Sequence, residues 1–189
     1  MKRVLTAAIA VVLFAAAPSF AAEKAGVKFD DSAQVGGKSL VLNGVGLRSI
    51  LFFKAYVAGL YVPEKSKVPA ALLMQKGPRR ISLKMLMELS AEKMTKAFVE
   101  GIEKNHSEAQ LAAMKPQIDQ LTATMAAIGT AKSGDTVDLD FVDGATRISL
   151  NGQAKGQTIA GEDFYTAVMR IYVGEHPADG DLKEGLLGG

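Results

Sequence analysis

The sequence contains no cysteine, and this absence excludes several kinds of site. Without a thiol there is no thiolate nucleophile and no cysteine-ligated zinc. No disulfide can form either, so the fold depends on its apolar core for stability. Histidine is nearly as scarce, because the two histidines, His106 and His176, stand far apart and each is alone. The sequence therefore predicts no metal site and no bound cofactor.

The common catalytic and phosphate-binding motifs are missing as well. The chain has no G-x-S-x-G nucleophile elbow, no phosphate-binding loop and no strand-borne G-x-G-x-x-G, and Gly44-Val45-Gly46 is too short to count. Asp138 and Asp140 alternate with apolar residues, which is typical of the solvated face of a strand. These patterns give no reason to expect a nucleotide-binding domain or a serine hydrolase.

The first 21 residues have the pattern of a secretory signal peptide. A basic start is followed by an apolar run, Val4–Ala17, and small residues then stand at the −3 and −1 positions of a cleavage site before Ala22. The run is short for a membrane span, which needs about 20 apolar residues, although an uncleaved anchor is the alternative. We predict a signal peptide over 1–21, one domain over 22–189, a periplasmic location and no stable membrane anchor after cleavage.

Charge excludes one class of partner. Removal of Lys2 and Arg3 with the signal peptide leaves 20 basic and 20 acidic residues. No basic patch of the kind that binds nucleic acid remains, so we expect no nucleic-acid partner. The length suits one domain with a sizeable core. None of these features indicates an oligomeric state.

Periodicity and turn signals predict strands, then helices, then strands, then a last helix followed by a polar tail. Tyr172 is expected on the buried side of that last helix. The clearest strand runs from Arg79 to Leu89 and is apolar at every second residue. Ser90 predicts the N-cap of the helix that follows. Three dipeptides are typical of turns between strands: Asn43-Gly44, Asp143-Gly144 and Asn151-Gly152. This order predicts an α+β fold with a mainly antiparallel sheet and helices on one face.

The most apolar and aromatic run after the signal peptide, LNGVGLRSILFFKAYVAGLYV (Leu42–Val62), contains an arginine and two tyrosines. Burying an unpaired charge is costly, so Arg48 needs an explanation. It lies at an exposed strand end, pairs with a carboxylate across the sheet, or faces an apolar cavity and binds an anion. The planar guanidinium suits the last role because it matches a carboxylate with two parallel hydrogen bonds.

This run resembles the signature of the chalcone-isomerase-like family, in particular its small bacterial exported branch. Two further segments resemble the family's strand–helix unit and its C-terminal half: RRISLKMLMELSAEKMTKAFVEGIEKN and TRISLNGQAKGQTIAGEDFYTAVMRIYVGEHPADGDLKEGLLG. The resemblance covers nearly all of residues 22–188. It implies an open-faced β-sandwich, in which a large antiparallel sheet is covered on one face by helices.

The resemblance also implies site residues of two kinds. In the plant enzymes, intramolecular lyases that close a chalcone into a flavanone, an arginine and a lysine stand where this chain has Arg48 and Lys93. Their threonine, tyrosine and asparagine are replaced here by Tyr56, Ser90 and Ala97, and the loss of oxyanion donors weakens the enzyme interpretation. In the fatty-acid-binding relatives, an arginine and a tyrosine in the next strand hold the carboxylate, and Arg48 and Tyr56 match that pair.

The sequence thus predicts a periplasmic protein that binds a small apolar ligand with an acidic head, such as a fatty acid, at Arg48 and Tyr56. One alternative is an intramolecular lyase with Arg48 and Lys93 as catalytic residues, and the other is a structural or interaction module. In one straight strand Arg48 and Tyr56 would lie ~26 Å apart, at about 3.3 Å per residue. The site therefore requires the chain to reverse between them, where no glycine or proline marks a turn.

Overall fold

A computed structural model describes residues 20–189 of the chain. The predicted signal peptide, 1–21, lies outside the described residues except for the backbone of its last two, and its cleavage stays a prediction. Within the described part, none of the helices is both long and apolar enough to cross a bilayer.

The described residues form eleven strands and six helices. The strands are β1 (Phe20–Lys24), β2 (Val27–Asp30), β3 (Ser32–Val35), β4 (Lys38–Ile50), β5 (Phe53–Val62), β6 (Arg79–Met85), β7 (Leu89–Ser90), β8 (Thr130–Ala131), β9 (Thr136–Val142), β10 (Ala145–Leu150) and β11 (Gln153–Ala160). The helices are α1 (Pro69–Met74), α2 (Ala91–Glu103), α3 (Glu108–Ala113), α4 (Lys115–Ile128), α5 (Glu162–Val173) and α6 (Gly180–Leu186).

Seven strands make one antiparallel sheet in the order β11-β10-β9-β6-β5-β4-β3. The pairs β1-β2 and β7-β8 form two small sheets of their own. Helices α2, α4, α5 and α6 pack on one face of the large sheet and form the main core with it. We call this side the helix-covered face. The arrangement confirms the predicted α+β fold with a large antiparallel sheet under helices.

The strand–helix unit at the centre of the chain follows its predicted pattern. Ile81, Leu83 and Met85 of β6 belong to the same core as Met94 and Phe98 of α2. The Ser90 side chain caps α2, as predicted, by accepting a hydrogen bond from the backbone N–H of the third helical residue. The strand is shorter than expected, because it ends at Met85 and a bend precedes the separate two-residue strand β7.

The opposite face of the sheet is covered in part by the β1-β2 hairpin, so we call it the hairpin-covered face. Phe29 of β2 packs over Gly59, where a Cβ would lie 2.6 Å from the phenyl ring. Asp138 and Asp140, expected on a solvated face, are instead largely covered. Arg80 compensates for this by donating two hydrogen bonds of 2.6 Å to Asp140. Burial raises the pKa of Asp138 above its usual value.

The predicted turn at Asn43-Gly44 is wrong, because β4 runs through both residues to Ile50. The glycines here serve packing: a Cβ at Gly44 or Gly46 would collide with the backbone of α6. The segment expected as a polar tail is this helix, and its Leu182 and Leu186 are fully buried. Close backbone contact between helix and strand therefore explains the glycines.

Asn43 is the extra residue of a β-bulge. Leu42 pairs with Tyr61 and Gly44 with Leu60, so Asn43 has no partner across the ladder. Its side-chain amide is held on both sides: Nδ2 donates to the carbonyls of Ser66 and Leu186 at 3.0 and 2.7 Å, and Oδ1 accepts from the Ser66 N–H at 2.8 Å. The bulge is thus fixed to both the β5-α1 connection and α6.

Two glycine-to-alanine substitutions test this packing. Gly46→Ala places a methyl group against the Leu182 backbone, and we expect a loss of ~1–3 kcal/mol in the free energy of unfolding. Gly180→Ala is the matched control, because a Cβ there meets nothing within 4 Å. It should leave stability unchanged or raise it by up to about 1 kcal/mol. Chemical denaturation measures both, and equal effects would contradict the packing described here.

Candidate functional site

The chain reverses between Arg48 and Tyr56, as the site requires. Strands β4 and β5 form a hairpin with a two-residue turn at Leu51-Phe52, and Arg48 pairs directly with Tyr56 across it. Directly opposed residues have Cβ atoms about 4.5–5.5 Å apart and share a face of the sheet. The turn requires a positive φ, and Leu51 adopts it, at 55°, where a glycine would be the usual residue. This is uncommon for a bulky residue, and no residue type in the sequence marks it.

A second bulge lies beside this pair. Arg48 pairs with Tyr56 and Ser49 with Lys54, so Ala55 is the extra residue of β5. Its carbonyl accepts hydrogen bonds from the backbone of Leu86 and Met87. Bulges of this kind bend a strand and redirect side chains, and they are frequent beside functional sites.

Both side chains line a cavity of about 400 Å³ between the sheet and helices α2 and α5. This volume lies within the range of small-molecule sites, roughly 300–1,000 Å³. Its wall is mainly apolar, and the apolar lining residues are Ile50, Leu83, Met85, Met87, Leu89, Met94, Ala97, Phe98, Val137, Ile171 and Ala178. A group of polar side chains, Arg48, Tyr56 and Tyr172, interrupts this wall.

The guanidinium of Arg48 uses only part of its hydrogen-bonding capacity on the protein. Its Nη1 donates to the Ala178 carbonyl and lies 3.3 Å from Oδ2 of Asp179. Nε and Nη2 donate to none of the residues that the structure describes. Arg48 therefore both pairs with a carboxylate and faces an apolar cavity. The carboxylate is not across the sheet, where it was expected, but belongs to Asp179, immediately before α6.

Asp179 has three roles at this position. Besides pairing with Arg48, its Oδ1 accepts from the Leu182 N–H at 3.0 Å and caps α6. Its Oδ2 also accepts from the Ser49 N–H at 3.4 Å. Sequence reasoning missed Asp179, although an aspartate before an apolar helical run is a signal for an N-cap. Nothing in the sequence pairs it with an arginine so distant in the chain.

The hydroxyl groups of Tyr56 and Tyr172 form the second polar element. Burial raises the pKa of Tyr56 to about 12 despite the opposing charge of Arg48. Burial also raises the pKa of Tyr172 well above its ordinary value. A hydrogen bond between the two hydroxyls lowers the pKa of Tyr56 and raises that of Tyr172. Tyr172 was expected only as a core residue of the last helix.

Lys93 lines the same cavity from α2, with its side chain exposed. Ser90 is occupied as the helix cap, accepting from the Lys93 backbone N–H at 3.4 Å. Ala97 contributes only a methyl group to the wall. His176 is an exposed lining residue, whereas Nδ1 of His106 contacts the Ile102 carbonyl at 2.8 Å. In the described part of the chain, no group of three potential metal ligands comes together.

Comparison with known proteins gives a family and a fold. A sequence profile described as chalcone isomerase-like matches residues 21–188. No curated protein matches the chain. Among solved structures, the fatty-acid binding protein AtFAP1 of Arabidopsis thaliana superposes with a TM-score of 0.68 at 17% identity, covering 86% of this chain and 92% of that one. At this identity the likeness shows a shared fold.

The four tyrosines and the absence of tryptophan make the buried hydroxyls measurable. Burial raises the pKa of each: Tyr56 and Tyr61 to about 12, and Tyr165 and Tyr172 well above their ordinary value. We expect no tyrosinate absorbance at pH 10, where an unfolded tyrosine is about half ionised. Because only the folded state raises these pKa values, stability is lost as pH rises from about 10 towards 12 and beyond.

An alkaline absorbance titration of native protein checks this, with protein in guanidinium chloride as the control. A native titration midpoint near 10 for any tyrosine would contradict the burial described here.

Proposed function

The chain belongs to the chalcone isomerase-like family, and we propose that it binds a small apolar ligand with an acidic head, such as a fatty acid, in the cavity at Arg48. The observation that carries the proposal is a partly buried guanidinium, two of whose nitrogens have no acceptor among the described residues, beside an apolar cavity of about 400 Å³. An apolar wall with a few convergent polar groups is the usual composition of a small-molecule site. A fold shared with a fatty-acid binding protein supports the proposal further.

In the proposed complex the ligand carboxylate accepts two hydrogen bonds from Nε and Nη2 of Arg48. The protonated Tyr56 hydroxyl donates a third, and the neighbouring Tyr172 hydroxyl is hydrogen-bonded to Tyr56. The acyl chain lies along Leu83, Met85 and the apolar side of α2. Each buried methylene contributes about 0.8 kcal/mol, so affinity rises with chain length until the cavity is filled.

Asp179 sets the charge of the empty site. Its carboxylate neutralises Arg48 when no ligand is present, which lowers the cost of keeping a guanidinium partly buried. A ligand carboxylate must share Arg48 with this aspartate and lies close to its negative charge. Asp179 therefore stabilises the empty protein and weakens ligand binding.

This opposition gives a pair of predictions. Arg48→Ala should weaken palmitate binding by ~1.5–3 kcal/mol, the range for a hydrogen bond to a charged group. Asp179→Asn should strengthen it by ~0.2–1 kcal/mol, the range for a partly exposed ion pair. Asparagine also caps helices well, so α6 stays capped in that variant. Isothermal titration calorimetry measures both affinities.

Arg147→Ala is the matched control, since this arginine also pairs with an aspartate but lies on β10, away from the cavity. It should bind palmitate as the parent does. If Arg48→Ala binds normally and only melts at a lower temperature, Arg48 is a structural ion-pair residue and the proposal fails. If Asp179→Asn binds more weakly, the competition described above is wrong.

The lyase alternative has less support from the same cavity. The Ser90 hydroxyl stands where the enzymes have a tyrosine, and it is used as a helix cap. Ala97 provides no hydrogen-bond donor where they have an asparagine. Lys93 and Arg48 are the two retained positions, and formation of a single flavanone enantiomer from a chalcone would favour this alternative. The interaction-module alternative would be favoured if no apolar ligand enters the cavity.

We also infer that the protein acts in the periplasm, with the signal-peptide pattern of residues 1–21 as support. Cleavage before Ala22 would retain three of the β1-β2 pairs: Ala22 with Phe29, Glu23 with Lys28, and Lys24 with Val27. The intact mass of protein from a periplasmic fraction tests this. A chain that retains residues 1–21 would contradict it.

A further inference from the structure

The tip of the β4-β5 hairpin exposes four large apolar side chains in succession. Ile50, Leu51, Phe52 and Phe53 are 41%, 86%, 97% and 65% exposed. We call these four residues the hairpin tip. Single exposed apolar residues are common on protein surfaces, but a contiguous group at a projecting point marks a contact with something apolar.

The two described strands that flank the β4-β5 hairpin stop pairing before they reach this tip. Strand β6 pairs with β5 only as far as Tyr56, and β3 pairs with β4 only from Lys38 to Val41. The hairpin therefore continues beyond its neighbours as a two-stranded ribbon. Its last two pairs, Ser49 with Lys54 and Ile50 with Phe53, have no strand on either side within residues 20–189.

The turn itself has residues that its geometry does not favour. Its positive φ is confined to Leu51, the first of the two turn residues, and hairpin turns of this pattern favour glycine there. Glycine or a small polar residue would make the same turn with less strain. The chain instead places leucine and phenylalanine, both highly exposed, in this turn, which indicates a role other than turning the chain.

The tip adjoins the opening of the ligand cavity. Ile50 belongs to both, because it lines the cavity and is partly exposed. The charged residues that line the cavity with exposed side chains are three lysines and one glutamate: Lys93, Lys96, Lys104 and Glu100. Lys54, next to the tip, is exposed and has no acidic partner among the described residues. The opening thus combines an apolar projection with an excess of positive charge.

We propose that the hairpin tip inserts into the surface of an anionic phospholipid bilayer and brings the cavity opening to the membrane. Apolar side chains that enter the interface beside basic residues are the combination by which peripheral proteins bind such surfaces. A protein partner fits less well, because a stable interface buries about 800 Å² on each side and a narrow convex ribbon offers much less. The attachment is peripheral and reversible.

Transfer of a ligand between bilayer and cavity rests on the proposed function, whereas docking of the empty protein does not. The test for docking is flotation of ligand-free residues 22–189 with vesicles of phosphatidylglycerol and phosphatidylcholine. Leu51→Gly/Phe52→Ser removes the apolar side chains while giving the turn the residue that it favours, so the variant folds. We expect the apparent affinity for vesicles to fall by about tenfold or more.

Val68→Ser/Met74→Ser is the matched control, because these apolar residues are also exposed, at 58% and 75%, but lie at α1. It should bind vesicles as the parent does. Lys54→Gln should weaken binding to phosphatidylglycerol vesicles, and vesicles of phosphatidylcholine alone should bind more weakly than the anionic ones. Equal vesicle binding by the parent and the tip variant would overturn the proposal.

Loss of a dimer in the tip variant, seen by sedimentation equilibrium without vesicles, would also overturn it and assign the tip to a second copy of the chain. Calorimetric titration with palmitate in the absence of vesicles tests the proposed function separately. If the protein binds vesicles through the tip but takes up no palmitate, the docking proposal stands and the proposed fatty-acid ligand is wrong.

Discussion

One extra residue in β4 decides which face of the sheet Arg48 occupies. Up to Leu42 the even-numbered residues of this strand lie on the hairpin-covered face, where Leu42 packs with Phe29. In a regular strand Arg48 would share that face, because side chains alternate with a period of two. The bulge at Asn43 reverses the alternation, so Arg48 pairs with Tyr56 on the helix-covered face. The cavity, the ion pair and the proposed ligand contact all depend on this reversal.

Helix α6 and the two residues before it complete the site from the far end of the chain. Leu186 accepts a hydrogen bond from Asn43, and Ala178 and Asp179 receive the Arg48 guanidinium. The same helix requires glycine at two positions of β4 to approach the strand. The bulge, the helix and the ion pair therefore stabilise one another. Asp179 neutralises the charge of Arg48 in the empty protein. Nε and Nη2 have no acceptor among the described residues, since Asp179 contacts only Nη1.

Local patterns in the sequence predicted much of the fold but only part of the site. The alternation in β6, the Ser90 cap and the turn at Asp143-Gly144 are local features, and the structure confirms them. The hairpin turn could not be predicted, because Leu51 takes a conformation that its residue type rarely adopts. The prediction of a turn at Asn43-Gly44 is wrong because the glycine is needed for the close approach of α6. That helix lies more than 130 residues further along the chain, so no local pattern indicates the contact. Asp179 and Tyr172 were missed as site residues for the same reason.

The proposed function requires an acyl chain in the cavity with its carboxylate at Arg48, and a crystal structure of the protein with bound palmitate is the decisive test. We expect continuous density for the acyl chain against Leu83 and Met85, with the carboxylate within hydrogen-bonding distance of Arg48 and the Tyr56 hydroxyl. A carboxylate at the exposed lysines of α2, with the guanidinium contacting Asp179 alone, would contradict it, as would an empty cavity at saturating palmitate.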